Sequence, residues 1–440
     1  MANSRQSPRC SNLLLVNPPI YDFTAFDFWL RPYGLLRVGG QLRSCRLTVF
    51  DHLISRDRDA FGRGRFEKRL VAKPPALANV PRRFYRFGRS REDFLRLLSE
   101  QNFDVVLIQT VMTYWYLGVR EVIEAVRKLQ PHAKIILGGV YATLCSRHAA
   151  SLGPDQVISG LDLKPLDLPL SDGLPFWEGV DAEVGVLKIT EGCPFRCTYC
   201  SVPVVYPNFS ARPLEASIEE LRHLARLGAR HVAFYDDALL FKADRILLPF
   251  LERVVREDFN FSFHTPNALN ARFITPEIAR LMVRAGFKTF YLGFESNAYT
   301  WQRKTGGKVY SEEFADAVRA LREAGAGSIT AYIIIGHPDS DHQDMEASIR
   351  FATKQGARVM LSEFAPIPGT PDGDACRKFT DLDEPLNHNK TAFTLRALGE
   401  ERVNRLKALT RELNEVCERP PALAAAPLAL VPLKRGTISA

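Results

Sequence analysis

Two series of short apolar runs, each alternating with amphipathic helical patterns, leave this chain few folds to choose from. In the first series "NLLLVNPP" (12–19), "LTVFDHL" (47–53), "FDVVLIQTV" (103–111) and "AKIILGGVYAT" (133–143) read as strands. "YGLLRVGGQLRSC" (33–45) places Leu35, Leu36, Val38 and Leu42 at helical spacing, interrupted by glycines, and "GVREVIEAVRKLQP" (118–131) is an amphipathic helix closed by proline. Apolar strands alternating with helices imply a parallel sheet covered on both faces, a Rossmann-like α/β domain. Residues 161–183, rich in Pro and Asp and without a sustained period, read as a linker. The alternation then restarts, with strands expected at 184–190, 231–235, 260–264, 288–294, 328–335 and 358–364. Helices are expected between them at 214–227, 243–257, 275–285, 311–324 and 342–355. Six strands in about 180 residues fall short of the ~250 that a closed eight-stranded barrel takes, so a partial (β/α)6 barrel of the TIM type is expected.

The expected layout is a first domain over 1–160, the linker, a barrel over 184–385, a helical extension over 386–418 and a disordered tail over 419–440. Hydrophobic residues make up 46% of the chain, enough for ordinary cores, and there is no uninterrupted apolar run long enough to span a membrane. The N-terminus lacks the apolar stretch of a signal peptide, and eight cysteines without framework spacing point to a reducing, cytoplasmic setting. The net charge of +8 is local: residues 56–91 hold twelve Lys or Arg against three acids, leaving 46 basic and 47 acidic residues elsewhere. This segment, with its glycines and prolines, reads as an insertion in the first domain.

"EGCPFRCTYCSVP" (191–203) places Cys193, Cys197 and Cys200 directly after the first strand of the second series. A parallel barrel gathers its chemistry at that end of its strands. Three readings compete: buried structural cysteines, a structural zinc site, or an iron–sulfur cluster. Zinc takes four closed ligands, usually in two spaced pairs, and no second pair follows nearby. A [4Fe–4S] cluster held by three thiolates leaves one iron without a protein ligand, open to a small molecule.

The CxxxCxxC spacing, with Tyr199 before the third cysteine, resembles that of the radical S-adenosylmethionine (SAM) enzymes, which are built on a six-stranded partial barrel. The resemblance implies that the open iron binds the amino and carboxylate groups of SAM. An electron from the cluster, delivered by a reductant such as flavodoxin or ferredoxin, then splits a carbon–sulfur bond to give a 5′-deoxyadenosyl radical. It also implies SAM contacts at the strand ends. "FYDDALLF" (234–241) offers Asp236 and Asp237 for the methionine ammonium, without the family's full Gly-Gly-Glu motif. "YLGFES" (291–296) offers Glu295 and Ser296 for the ribose or the methionine end. "YIIIGHPDSD" (332–341) places Gly336 where backbone faces adenine, with His337 where leucine is commoner. Tyr199 would pack near adenine. Read without the family, strand-end acids such as these also cap helices.

The first series is similar to the cobalamin (B12)-binding domain that precedes many such barrels. Asp51-His52 does not fit the Asp-x-His-x-x-Gly cobalt-ligand motif, and "VISGLDL" (157–163) departs from the subgroup's Gly-Glu-Gly-Glu. A bound cobalamin would imply methylation of an unactivated carbon, and its absence another radical modification. The basic segment, with Phe61, Phe66, Phe84, Tyr85 and Phe87 among its arginines, admits two readings. One is an arm packed on the barrel with its arginines paired or solvated; the other is a phosphate- and base-binding surface. The second would make the chain an RNA-modifying member, or a zinc-containing nucleic-acid-binding protein. Cys10, Cys45, Cys145, Cys376 and Cys417 are expected to be structural.

Overall fold

The computed structural model describes residues 12–418; Cys10 and the segment expected as a disordered tail lie outside the described residues. The first sheet holds β1 (Asn12–Asn17), β2 (Arg46–Asp51), β3 (Val105–Gln109), β4 (Lys134–Gly138) and β5 (Gln156–Val157), all parallel, in the order β5-β4-β3-β1-β2. Successive residues of β1 point to opposite faces and both faces are covered. Leu14 and Val16 pack with Val119, Val122 and Val126 of helix Tyr116–Leu129, while Leu13 and Leu15 pack with Leu35 and Leu42. This order reverses direction between β1 and β3, the place where open α/β sheets leave a crevice.

The apolar run 133–143 is a strand only as far as Gly138. Gly139 takes a φ of +90° and a short helix, Gly139–Leu144, begins there, so an unbroken hydrophobic stretch contains two elements. A helix that the pattern did not reveal, Arg91–Glu100, follows the basic segment and is capped by Ser90, whose hydroxyl accepts from the Asp93 amide at 3.1 Å. The glycines that interrupt helix Tyr33–Gln41 have a packing reason. A Cβ on Gly40 would lie 2.1 Å from the Leu174 carbonyl, because segment 173–176 crosses the helix there.

The second sheet holds β6 (Val184–Leu187), β7 (His231–Phe234), β8 (Ser262–His264), β9 (Leu269–Asn270), β10 (Phe287–Glu295), β11 (Ser328–Ile335) and β12 (Arg358–Glu363). Its order is β6-β7-β8-β10-β11-β12, parallel throughout, with β9 also on β10. This is a partial barrel with helices between its strands, as the sequence pattern requires. The open edge at β12 is covered by helix Glu400–Glu418. The Asn414 side-chain oxygen accepts from the Val359 amide at 2.8 Å and its Nδ2 donates to the Val359 carbonyl at 2.9 Å, standing in for a neighbouring strand.

The barrel is plugged by residues from the first domain. The Trp29 ring stacks on His264 at 4.4 Å and its Nε1 donates to the Phe61 carbonyl at 2.7 Å. Arg63 donates to the Tyr291 hydroxyl at 3.2 Å. Much of the basic segment is thus built into the molecule. Phe66, Phe84 and Phe87 are buried, Arg58 pairs with Asp181 and Glu183, Arg86 pairs with Glu121 at 2.7 Å, and Arg82 pairs with Glu400. Its chain forms a three-stranded antiparallel sheet from Ile20–Asp22, Tyr85–Phe87 and Lys68–Leu70, with the last strand exposed. Among the described residues no helix is long and apolar enough to cross a membrane.

Candidate functional site

After β6 the chain passes through Thr190–Glu191, paired with Ser210–Ala211, into the cysteine loop. Gly192 must be glycine: its φ is +74° and a Cβ would meet the Asn208 carbonyl at 2.4 Å. The loop is fastened to its neighbours by backbone. The Thr198 amide donates to the Thr305 carbonyl at 3.3 Å, and the Thr198 carbonyl accepts from the Asp372 amide at 3.1 Å. Cys193, Cys197 and Cys200 line one cavity of about 320 Å³ at the carboxyl ends of the barrel strands. Burial pushes all three thiols upward, Cys200 to about 12, so metal binding there must displace protons.

Among the described residues no three His, Cys, Asp or Glu side chains close on one point as a single metal ion requires. Hydrophobic walls (Phe195, Phe241 and Phe273) and a few polar groups complete the cavity.

Lys308 is the one cation on that wall and Asp237 its one acid. Burial works against the Lys308 charge, yet the Glu295 carboxylate and the Cys197 and Cys200 sulfurs hold its pKa above the ordinary lysine range. Glu295, at 3.0 Å from Nζ, adopts a φ of +69°. Asp237 pairs with Lys188 at 3.2 Å. Asn270 also lines the cavity: its Oδ1 caps the Arg272 amide, while its Nδ2 is buried without a partner. Neither Lys308 nor Asn270 was singled out from the sequence. The lone signal for Lys308 is a basic residue straight after the Gly306-Gly307 pair.

The remaining expected residues differ in placement. Tyr199 lines the cavity with its ring stacked on Trp301 at 5.9 Å. Asp236, Ser296 and Gly336 stand behind the wall. The Ser296 hydroxyl accepts from the Ala298 amide at 3.1 Å, and Gly336, at φ +81°, lies against Thr394. Asp236 pins the start of the cysteine loop: Oδ1 accepts from the Ile189 amide at 3.0 Å and the Thr190 hydroxyl at 2.7 Å. Burial, opposed by Thr190 and Lys188, still raises its carboxyl to about 6. A carboxyl raised in the native state favours folding at low pH and loses that contribution as pH rises through the native value. Replacing Asp236 with Asn should therefore remove a fall in apoprotein stability between about pH 4 and pH 6, on the order of 3 kcal/mol. Denaturant melts across that range read it directly, and parallel pH profiles for both proteins would contradict it.

In the first domain, His52 is wholly buried, packed at 4.7 Å from Phe50 and 5.3 Å from Phe94, with neither ring nitrogen hydrogen-bonded. The crevice between β1 and β3 is filled by Leu30, Arg31 and Trp115, leaving about 10 Å³. Room exists further along the edge. A Cβ on Gly160 would meet nothing within 4 Å, and one on Gly138 only the Ile158 carbonyl at 4.0 Å. Bare backbone of this kind leaves the edge of the sheet open to close approach by a ligand. Helix Gly139–Leu144 at that edge lies against Val202–Val205, which continues the cysteine loop. The other described cysteines (45, 145, 376 and 417) lie off the cavity wall.

The family model of the Radical SAM superfamily matches residues 187–352, and that of the B12 binding domain matches residues 78–163. An uncharacterized methyltransferase of Pyrococcus horikoshii is 29% identical over 216 residues, 48% of this chain and 44% of that protein. A threonylcarbamoyladenosine tRNA methylthiotransferase of Thermotoga maritima is 25% identical over 281 residues, 58% of this chain and 64% of that one. The chain thus spans less than two thirds of either relative. Among solved structures, the radical S-adenosylmethionine methyltransferase TsrM of Kitasatospora setae, with cobalamin and [4Fe-4S] cluster bound, superposes with a TM-score of 0.63 at 15% identity. That match covers 91% of both chains, a likeness of fold.

Proposed function

We propose that this chain, a member of the radical SAM superfamily with a B12-binding domain ahead of its barrel, is a cobalamin-dependent methyltransferase acting on an unactivated carbon. The observation that carries the reading is the meeting of two strand-end faces. The three-cysteine cavity of the barrel and the glycine-bare edge of the first sheet abut through Gly139–Leu144 and Val202–Val205. When bound, a [4Fe–4S] cluster supplies the electron that splits SAM, and a cobalamin carries the methyl group.

The chain's own share is to hold, orient and exclude water. Cys193, Cys197 and Cys200 would hold three irons, leaving the fourth to SAM. Lys308 would meet the SAM carboxylate and Asp237 its ammonium, and the free Nδ2–H of Asn270 would donate to the nucleoside. Tyr199 and the phenylalanine walls would flank the adenine and keep water out. Asp236, Ser296 and Gly336 would support this set from behind. A one-electron carrier protein would supply the reducing equivalent. A tRNA-modifying relative raises RNA as a substrate. The engagement of Arg58, Arg63, Arg82 and Arg86 with groups of this chain argues against extending the reading to it.

The test is an anaerobic metal, sulfide and corrin analysis of the reconstituted protein. About four iron and four sulfide per chain are expected, with no zinc. Hydroxocobalamin added in excess should survive gel filtration with the protein. Zinc without sulfide would overturn the cluster, and quantitative loss of corrin the methyl-carrier half.

A further inference from the structure

We infer that His337 is a positioning residue for the cysteine loop, acting through Asp372 and Thr198; the inference rests on the cluster reading above. His337 follows β11, Asp372 lies in the helix Pro371–Ala375 after β12, and Thr198 sits between Cys197 and Tyr199. The Asp339 amide donates to His337 Nδ1 at 3.1 Å, and Trp301 Nε1 approaches the same nitrogen at 3.4 Å. With Nδ1 accepting, Nε2 carries a proton and donates to Asp372 Oδ2 at 2.9 Å. The same carboxylate oxygen accepts from the Thr198 hydroxyl at 2.6 Å.

This arrangement ties the ends of β11 and β12 to one residue of the cysteine loop that follows β6. His337 is 2% exposed, so its orientation is fixed by packing against Trp301 and Phe364. Asp372 is fastened twice more, its amide donating to the Thr198 carbonyl at 3.1 Å and its carbonyl accepting from Cys376 Sγ at 3.2 Å. Trp301, which touches His337, also stacks on Tyr199. Imidazole is the part leucine cannot play. It takes a backbone proton on one side and gives a proton to a carboxylate on the other, holding that carboxylate where it can receive the threonine. Groups one step removed from metal ligands set how firmly those ligands grip.

Two variants separate this role from packing. His337→Leu fills similar space without either polar atom, whereas His337→Gln keeps an acceptor and a donor at comparable separation. With the reconstituted cluster, His337→Leu should lose iron to a chelator about tenfold faster than wild type, the low end for losing an outer partner of a metal site. Its reduced-state electron paramagnetic resonance spectrum should shift, while the thermal midpoint of the apoprotein stays near wild type. His337→Gln should release iron within about twofold of wild type. Wild-type release and spectrum in the Leu variant would overturn the inference, as would equal damage in both variants, which would mean that shape alone matters. A wild-type protein that assembles no cluster would be a different failure, that of the functional reading itself.

Discussion

Cys197→Ala is expected to leave a folded chain that neither keeps iron and sulfide nor splits SAM. The side chain is small and mostly buried, and the loop around it is held chiefly by backbone hydrogen bonds of Thr198 with Thr305 and Asp372. Truncation should therefore cost only about 1–2 kcal/mol of stability. The loss of function should be complete, because on the proposed three-cysteine ligation only two thiolates would remain to hold a cube without a fourth protein ligand. Cys417→Ala is the control: its thiol donates weakly to the Thr353 carbonyl at 3.5 Å and lies off the cavity. The measurements are iron and sulfide per chain after anaerobic reconstitution, and 5′-deoxyadenosine formed from SAM with a chemical reductant. A Cys197→Ala protein with wild-type iron and turnover would remove the cysteine loop from the chemistry. Because all three thiols are held protonated by burial, cluster assembly in the wild type should also speed up as pH rises.

What could be read in the sequence was whatever depends on neighbours along the chain. The strand at 328–335 announces itself because a central parallel strand is buried on both faces and its run is mostly apolar. By contrast 358–363, an edge strand with one buried residue, shows only a short Val-Met-Leu core. The cysteines at 193, 197 and 200 share one loop, so their spacing alone carries the signal. The rest of the site is assembled by barrel closure. Lys308 reaches the cysteines from the loop before helix Ser311–Glu323, and Asn270 from a two-residue strand beside β10. Neither belongs to a local pattern, so no window of sequence could connect them. The same limit acts in reverse for Ser296 and Gly336. Their place at strand ends was legible, but the direction each faces is set by partners at 298 and 394 that only the folded chain brings together. Asp236 and Asp237 show it at its sharpest: adjacent acids on one strand end face opposite ways, one into a loop anchor and one onto the cavity wall.

Lys308→Met should weaken SAM binding by about 10- to 100-fold, the equivalent of losing one hydrogen bond to a charged group. Lys308 is the sole cation on a wall that, on the proposed function, would accept three thiolates and an anionic SAM carboxylate, with Glu295 already beside it. Methionine keeps the length of the stem and removes the charge, leaving Glu295 without its ion-pair partner in a buried site. Such orphaned carboxylates are costly, so part of the penalty should appear as lower stability of the apoprotein. The cluster should also become harder to reduce, because negative charge on the thiolates and Glu295 is no longer offset. Lys308→Arg, which keeps the charge but brings a broader head, should recover the reduction potential more fully than the SAM affinity. Equilibrium binding of SAM to the reconstituted protein and a redox titration of its cluster read the two effects separately. Unchanged affinity and potential in Lys308→Met would mean that this ammonium only balances Glu295, and that the SAM carboxylate finds its partner elsewhere.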